Sequence, residues 1–163
     1  MEEKVLTIID ILKQHYPNPV CALHYGKDYE LMIAVRLSAQ CTDARVNLVT
    51  PQLFEKFPDA KSMGEADVSE VEQLIKSCGL YKTKAKDVVM MCRQLRDNFG
   101  GVVPDSIDKL TSLSGIGRKT ANLIMGDVHH LPAIVTDTHC IRITGRLGLT
   151  KETDPKKVEQ DLL

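Results

Sequence analysis

The stretch SIDKLTSLSGIGRKTANLIMG, residues 106–126, decides the fold of this chain. Apolar residues recur at helical spacing before the two hairpin glycines and again after them, which gives each side an apolar stripe. The pattern predicts two short helices, over about 106–113 and 118–127. They would face each other across a hairpin that is too tight for ordinary residues.

The glycine hairpin between these helices has the chemistry of an anion site. Gly115 and Gly117 permit positive φ and leave the backbone N–H groups uncovered, while Ile116 can anchor the hairpin in the core. The N–H groups and the positive end of the following helix attract a phosphate. A Gly-x-Gly turn alone is a weak signal, but the flanking helices and the adjacent Arg118 and Lys119 favour a sequence-independent phosphate grip.

The rest of the chain shows helical periodicity and no ladder of strands, which predicts an all-α fold. The last helix opens at Asp154-Pro155, a preferred cap followed by proline at the first helical position. It ends on two leucines without a capping signal, so we expect more chain to follow Leu163. Further helices are predicted over residues 3–15, 29–37, 43–57, 68–77, 82–97 and 137–145.

The composition is ordinary for a soluble domain but conceals a segregation of charge. The net charge is −1, with 26% charged and 43% hydrophobic residues. Residues 55–75 carry six acids against two bases, whereas residues 76–96, which include Lys82 and Lys84, carry six bases against one acid. A basic stretch of this kind can neutralise phosphates locally, although a charge run is more often a solvated helix face.

The sequence indicates neither a membrane span nor a metal site. No apolar run is long enough to cross a bilayer, and the acidic N-terminus does not resemble a signal peptide, so we expect a cytoplasmic protein. The five cysteines are widely spaced and form no CxxC pair. This pattern indicates reduced thiols rather than a metal or redox motif.

Two motifs in combination identify a family. LSGIGRKTAN, followed eighteen residues after Lys119 by Asp137 in LPAIVTDTH, resembles the helix-hairpin-helix/Gly-Pro-Asp DNA glycosylases, and specifically endonuclease III. The resemblance continues upstream through LMIAVRLSAQCTDARVN and CGLYKTKA. It covers nearly the whole chain, from about residue 5 to 163.

The resemblance implies the helix-hairpin-helix DNA glycosylase fold and a role in base-excision repair. A six-helix domain would span residues 20–131, and residues 1–19 and 132–163 would form an incomplete second helical domain that stops before the family's cluster-binding segment. The implied activity is that of a bifunctional DNA N-glycosylase and abasic-site lyase that removes oxidised or damaged pyrimidines. Its partner would be double-stranded DNA with damaged bases or abasic sites, bound by a monomer.

Lys119 matches the family's nucleophile, and Asp137 matches its catalytic aspartate. The amine attacks C1′ of the sugar, displaces the base and forms a Schiff base that leads to strand cleavage by β-elimination. The amine must be neutral to do so, and its place at a helix N-terminus beside Arg118 disfavours the ammonium. Asp137 would assist lysine deprotonation or stabilise positive charge on the sugar. The same aspartate, just before Thr138, is also an ideal helix cap, and both roles can hold at once.

Further DNA contacts follow from the resemblance. A glycosylase takes the damaged base out of the stack, and Gln40 and Leu80 match the residues that fill the vacated space. Local pattern alone would place Leu80 in the core, but a leucine on a tight turn next to basic residues suits a wedge better. The expected DNA-binding set is completed by Lys82, Lys84, His139 and the hairpin residues Gly115, Ile116, Gly117 and Arg118.

The chain departs from the family pattern in its cysteines. The family usually carries a [4Fe-4S] cluster on four cysteines spaced C-x6-C-x2-C-x5-C, and no such set occurs within residues 1–163. The cluster is therefore expected only if the native chain continues past Leu163. Two alternatives stay open: a monofunctional adenine DNA glycosylase, which lacks the lysine nucleophile, and a non-catalytic helix-hairpin-helix module that only holds DNA.

Overall fold

The structure, a computed structural model, describes residues 2–163, which are helical with no strand in that range. The expected all-α class is thereby confirmed. The helices are α1 (Glu2–His15), α2 (Asp28–Ser38), α3 (Asp43–Lys56), α4 (Ala60–Glu65), α5 (Val68–Leu74), α6 (Tyr81–Phe99), α7 (Ile107–Thr111), α8 (Arg118–Asp127), α9 (Thr138–Arg146) and α10 (Pro155–Leu162).

The helices divide into two compact units. Helices α2 to α8 lie in the larger unit, residues 23–135, and α1, α9 and α10 lie in the smaller one, residues 2–22 and 136–163. Lys119 therefore belongs to the larger unit and Asp137 to the smaller. Within the described range, every helix is too short or too polar to span a lipid bilayer.

The core of the larger unit is built around α2, which packs against α3, α6 and α8. Its residues 31–34 are completely buried, as expected for a helix that is apolar on nearly every side. The first turn is closed by the Glu30 carboxylate, which accepts hydrogen bonds from the backbone N–H groups of Gly26 (2.7 Å) and Lys27 (3.2 Å). A buried acid at this position compensates for the unpaired amides of the helix start.

Helix α4 was not predicted from the sequence, because AKSMGE has no apolar periodicity. It forms because Asp59 caps it, accepting a hydrogen bond from Ser62 N–H (2.7 Å), and because it lies directly against α6. A Cβ on Gly64 would lie 2.9 Å from the backbone nitrogen of Arg93 in α6. Glycine at this position therefore sets how closely the two helices approach.

The smaller unit is organised by two aspartate caps. Asp137 Oδ1 accepts a hydrogen bond from Cys140 N–H (2.8 Å) at the start of α9, and Asp154 Oδ1 accepts one from Lys157 N–H (3.1 Å) at the start of α10. Both caps were expected from the sequence, and both are confirmed. Val158 is the fully buried apolar residue of α10.

Replacing Gly64 with alanine is expected to lower the free energy of unfolding by about 1–3 kcal/mol, because the added methyl group forces α4 and α6 apart. Gly126 in α8 is the matched control, since a Cβ there meets no atom within 4 Å. Gly126→Ala is expected to leave stability unchanged or raise it by about 0.5–1 kcal/mol. Urea unfolding of both variants measures the difference, and equal unfolding midpoints would contradict the close α4–α6 contact.

Candidate functional site

The predicted hairpin is present between α7 and α8. Ile116 is buried, as expected, and its N–H donates to the carbonyl of Leu113 (3.2 Å). Gly115 has φ +74°, in the left-handed region that favours glycine. Gly117 does not use the positive φ that glycine permits, because it has φ −93° and ψ 173° and is the extended N-cap of α8. Gly117 instead leaves open space where a side chain would stand, since a Cβ there has no neighbour within 4 Å.

Two polar side chains of α6 hold the hairpin in place. Asp87 Oδ1 accepts a hydrogen bond from Ser114 Oγ (3.1 Å), and Gln94 Oε1 accepts one from Ser114 N–H (2.7 Å). Asp87 also binds α2, because Arg36 donates to its Oδ2 from Nε (2.9 Å) and from Nη2 (2.6 Å). One carboxylate therefore connects α2, α6 and the glycine turn.

The space at Gly115 is set by this ion pair. A Cβ at residue 115 would lie 2.8 Å from both Cδ and Nε of Arg36 and 3.0 Å from Cβ of Asp87. Two constraints therefore favour glycine at position 115. Its backbone is left-handed, and a larger side chain would overlap Arg36 and Asp87. The sequence showed the first requirement but not the second.

The hairpin leads directly into the positive end of α8. Gly117, Arg118 and Lys119 are exposed at the start of this ten-residue helix, where backbone amides have no intrahelical partner. Two exposed cationic residues thus directly follow the glycine turn, and a helix N-terminus attracts anions such as phosphate. Lys119 lies on the first turn of this helix.

Asn122, one turn after Lys119, is a feature that the sequence did not reveal. Its side chain is 3% exposed, and its Nδ2 has no hydrogen-bond partner among the residues that the structure describes. An unpaired buried amide destabilises a fold by about 1–3 kcal/mol. Stability alone therefore does not account for asparagine at this position of α8.

The turns that carry Gln40 and Leu80 are neighbours with the same unusual backbone. Gln40 has φ 54° and Leu80 has φ 57°, a conformation that side chains larger than asparagine rarely adopt. The carbonyl oxygen of Gln40 lies 3.4 Å from the position of a Cβ on Gly79. Leu80 is 61% exposed, so the core-packing alternative for this residue is wrong. Left-handed backbone at bulky residues is concentrated at functional sites.

Lys84 does not belong to the DNA-binding set, and that expectation is corrected. Its side chain is fully buried, and its ammonium donates to the carbonyl oxygen of Leu37 (2.8 Å) near the end of α2. Burial lowers the pKa of Lys84. A charge in that position stabilises the C-terminus of α2 and cannot reach a phosphate. Lys82, two residues earlier, is exposed.

Asp137 and His139 lie at the start of α9 in the smaller unit. Asp137 is half-buried and uses Oδ1 for the helix cap. Burial, and to a lesser degree the charge of Asp137, raises the pKa of the Cys140 thiol. His139 is exposed, and its Nδ1 lies 3.4 Å from the Arg142 guanidinium.

The described residues do not fit an iron–sulfur cluster. No group of three or more His, Cys, Asp or Glu side chains in residues 2–163 is arranged as metal ligands. The five cysteines are free thiols, and Cys92 is buried in the core on α6, where burial raises its pKa to about 12.

Comparisons with known proteins give a consistent result. Residues 33–163 match the family model described as "HhH-GPD superfamily base excision DNA repair protein". Endonuclease III of Synechocystis sp. is 44% identical over 163 residues, covering 99% of this chain and 74% of the relative. Endonuclease III of Bacillus subtilis is 40% identical over 156 residues, covering 95% and 71%.

A solved structure of a trapped endonuclease III–DNA covalent intermediate aligns with a TM-score of 0.91. It is 39% identical in sequence, and the alignment covers 100% of this chain and 77% of that one.

Substitution of the two hairpin glycines is expected to separate folding from phosphate binding. Gly115→Ala should lower the free energy of unfolding by about 1–3 kcal/mol, through left-handed strain and the clash with Arg36. Gly117→Ala should lower it by less than about 1 kcal/mol and yet weaken DNA binding, because its methyl group covers the N–H surface. Urea unfolding and fluorescence anisotropy with a labelled duplex measure the two effects. Unchanged DNA affinity in Gly117→Ala would show that the hairpin is not a phosphate-binding site.

Proposed function

This chain belongs to the HhH-GPD superfamily of base-excision DNA repair proteins, and we propose that Lys119 is its nucleophile and Asp137 the carboxylate that acts with it. The activity is that of an endonuclease III-type DNA glycosylase and abasic-site lyase, which excises damaged pyrimidines and cuts the strand at the resulting site. The observation that carries the residue assignment is the position of Lys119. It is an exposed amine on the first turn of α8, immediately after the glycine hairpin.

Lys119 performs the covalent steps. The lone pair of Nζ attacks C1′ of the nucleotide, the bond from C1′ to the base breaks, and the base leaves with a proton. The sugar opens to a Schiff base between Nζ and C1′, which acidifies the hydrogens on C2′. Loss of one of them expels the 3′ phosphate by β-elimination, and water then releases the lysine.

Asp137 supplies negative charge during these steps. A carboxylate assists proton removal from the attacking amine and stabilises the positive charge that develops on the sugar as the base departs. Its role as the N-cap of α9 fixes its χ angles, because Oδ1 is held by the Cys140 N–H. A side chain fixed in this way needs no reorganisation at the moment of reaction.

The DNA is held through its backbone and opened at the lesion. The hairpin residues Gly115 and Gly117, with Arg118, contact phosphates on the strand, and Lys82 adds a second cationic contact. Leu80 and Gln40 enter the space that the flipped nucleotide leaves, which offsets part of the cost of unstacking. An exposed leucine on a strained turn supports this assignment.

The substrate and working state follow from this chemistry. We propose that the substrates are duplexes with oxidised or ring-saturated pyrimidines, or with abasic sites, and that the protein acts on them as a monomer. Because the substrate is DNA, the expected place of action is the cytoplasm.

Lys119→Gln is expected to abolish the covalent adduct that sodium borohydride traps between the wild-type protein and an abasic-site oligonucleotide. Glutamine keeps the length and polarity of the side chain but has no nucleophilic amine. Gel electrophoresis of the trapped complex measures the adduct, and anisotropy checks that the variant still binds the duplex.

Lys109→Ala is the matched control, because Lys109 is an exposed lysine on α7 of the same hairpin. It is expected to retain the adduct. Trapping by Lys119→Gln at the wild-type level would refute the assignment of the nucleophile. DNA binding by the wild type without any adduct would favour the non-catalytic module.

Asp137→Asn is expected to lower the rate of base excision by about a hundredfold or more while the protein stays folded. Asparagine caps a helix about as well as aspartate, so the two roles of residue 137 are separated. Asp154→Asn removes the charge from the equivalent cap of α10 and is expected to retain wild-type excision. Single-turnover kinetics and urea unfolding compare the two variants; equal excision rates would make Asp137 a structural residue only.

A further inference from the structure

The turns that carry Gln40 and Leu80 each contain a cysteine, and the two turns are neighbours. Cys41 directly follows Gln40, and Cys78 lies two residues before Leu80. Cys41 lies near enough to Cys78 to contribute to the raised pKa of the Cys78 thiol. The adjoining backbone agrees, because the Gln40 carbonyl oxygen is 3.4 Å from the position of a Cβ on Gly79. These two cysteines are therefore paired in space although 37 residues apart in the chain.

The two cysteines differ in a way that suits sequential oxidation. Cys41 is partly exposed, whereas Cys78 is completely buried. Burial, followed by the proximity of Cys41, raises the pKa of the Cys78 thiol to about 11. Cys78 is thus kept as a protonated thiol, protected from solvent, next to the sulfur that is oxidised first.

A buried cation completes the cluster. The ammonium of Lys84, held by the Leu37 carbonyl, lies near both sulfur atoms and interacts with their charges. The charges of Lys84 and Arg45 both act to lower the pKa of the Cys78 thiol, against the larger effect of burial. The thiolate is the form of cysteine that reacts with peroxides and disulfides.

We propose that Cys41 and Cys78 form a reversible disulfide when the protein meets a peroxide, and that this cross-link between the two turns lowers affinity for DNA. The Cys41 thiolate attacks one oxygen of hydrogen peroxide, the O–O bond breaks, and Cys41 becomes a sulfenic acid as hydroxide leaves. The Cys78 sulfur then attacks the sulfenic sulfur, its proton goes to the leaving oxygen, and water departs. Two thiols lose two electrons in total, and the peroxide gains both.

The effect on DNA rests on the proposed function of Gln40 and Leu80. A disulfide holds its two sulfur atoms about 2.05 Å apart. Because each cysteine lies within two residues of an inserting side chain, both turns must shift toward each other. The shift changes the spacing of two side chains that enter the same gap in the DNA, and we expect the affinity for an abasic-site duplex to fall about tenfold.

The cross-link itself is tested without DNA. The 163-residue chain is treated with hydrogen peroxide, alkylated with N-ethylmaleimide and digested with trypsin. The expected product is a disulfide-linked pair of peptides, LSAQCTDAR (37–45) and SCGLYK (77–82), with two of the five thiols no longer alkylated. The pair should disappear with dithiothreitol and should be absent in Cys41→Ala. Cys140→Ala, which removes a partly exposed thiol elsewhere, should retain it.

Failure to find this peptide pair after prolonged exposure to millimolar peroxide would overturn the proposal, as would a pair that forms equally in Cys41→Ala. The effect of oxidation on DNA binding is measured by fluorescence anisotropy with an abasic-site duplex, before and after treatment with peroxide. A loss of affinity that dithiothreitol reverses and that Cys41→Ala lacks supports it, whereas a change of less than twofold overturns it. If the reduced wild type does not bind the duplex at all, the proposed function fails instead.

Discussion

The arrangement of the hairpin to which we assign DNA binding depends on one carboxylate, Asp87. It joins α2 to α6 through Arg36 and joins both helices to the glycine turn through Ser114. Gln94, two turns further along α6, holds the same turn through the backbone. Helix α8 begins where this turn ends. The position of its first turn, which carries Lys119, therefore depends on the contacts of Asp87 and Gln94 with the hairpin. Partly buried ion pairs of this type specify geometry more than they add stability.

Several positions serve the fold and the chemistry at the same time. Asp137 caps a helix with the side chain whose charge we assign to the reaction, and Gly115 is needed both for its φ value and for the space above Arg36. Lys84 shows the opposite case, a cation in a basic stretch that is purely internal. Charge on its own is therefore a poor guide to which residues meet the DNA. The burial of each side chain has to be known as well, because a buried cation such as Lys84 cannot contact DNA.

Much of the fold follows from local sequence rules, and the exceptions have physical causes. Helices α8 and α10 were predictable because apolar periodicity and capping residues agree in both. Helix α4 was not, since six residues with a central glycine gain their stability from α6 rather than from their own pattern. The role of Asp87 was also hidden, although its position as the single acid among six bases was a usable signal. Its partner Arg36 lies 51 residues away in the chain, and a local sequence pattern cannot predict a contact over that distance.

The left-handed backbone at Leu80 has a consequence for protein engineering. A bulky residue in this conformation strains the native state by about 1–3 kcal/mol, and glycine would relieve that strain. A directed-evolution campaign that screens only for heat resistance would therefore favour the loss of this leucine. Because we assign the opening of the duplex to Leu80, such a library has to be sorted on repair as well as on melting temperature.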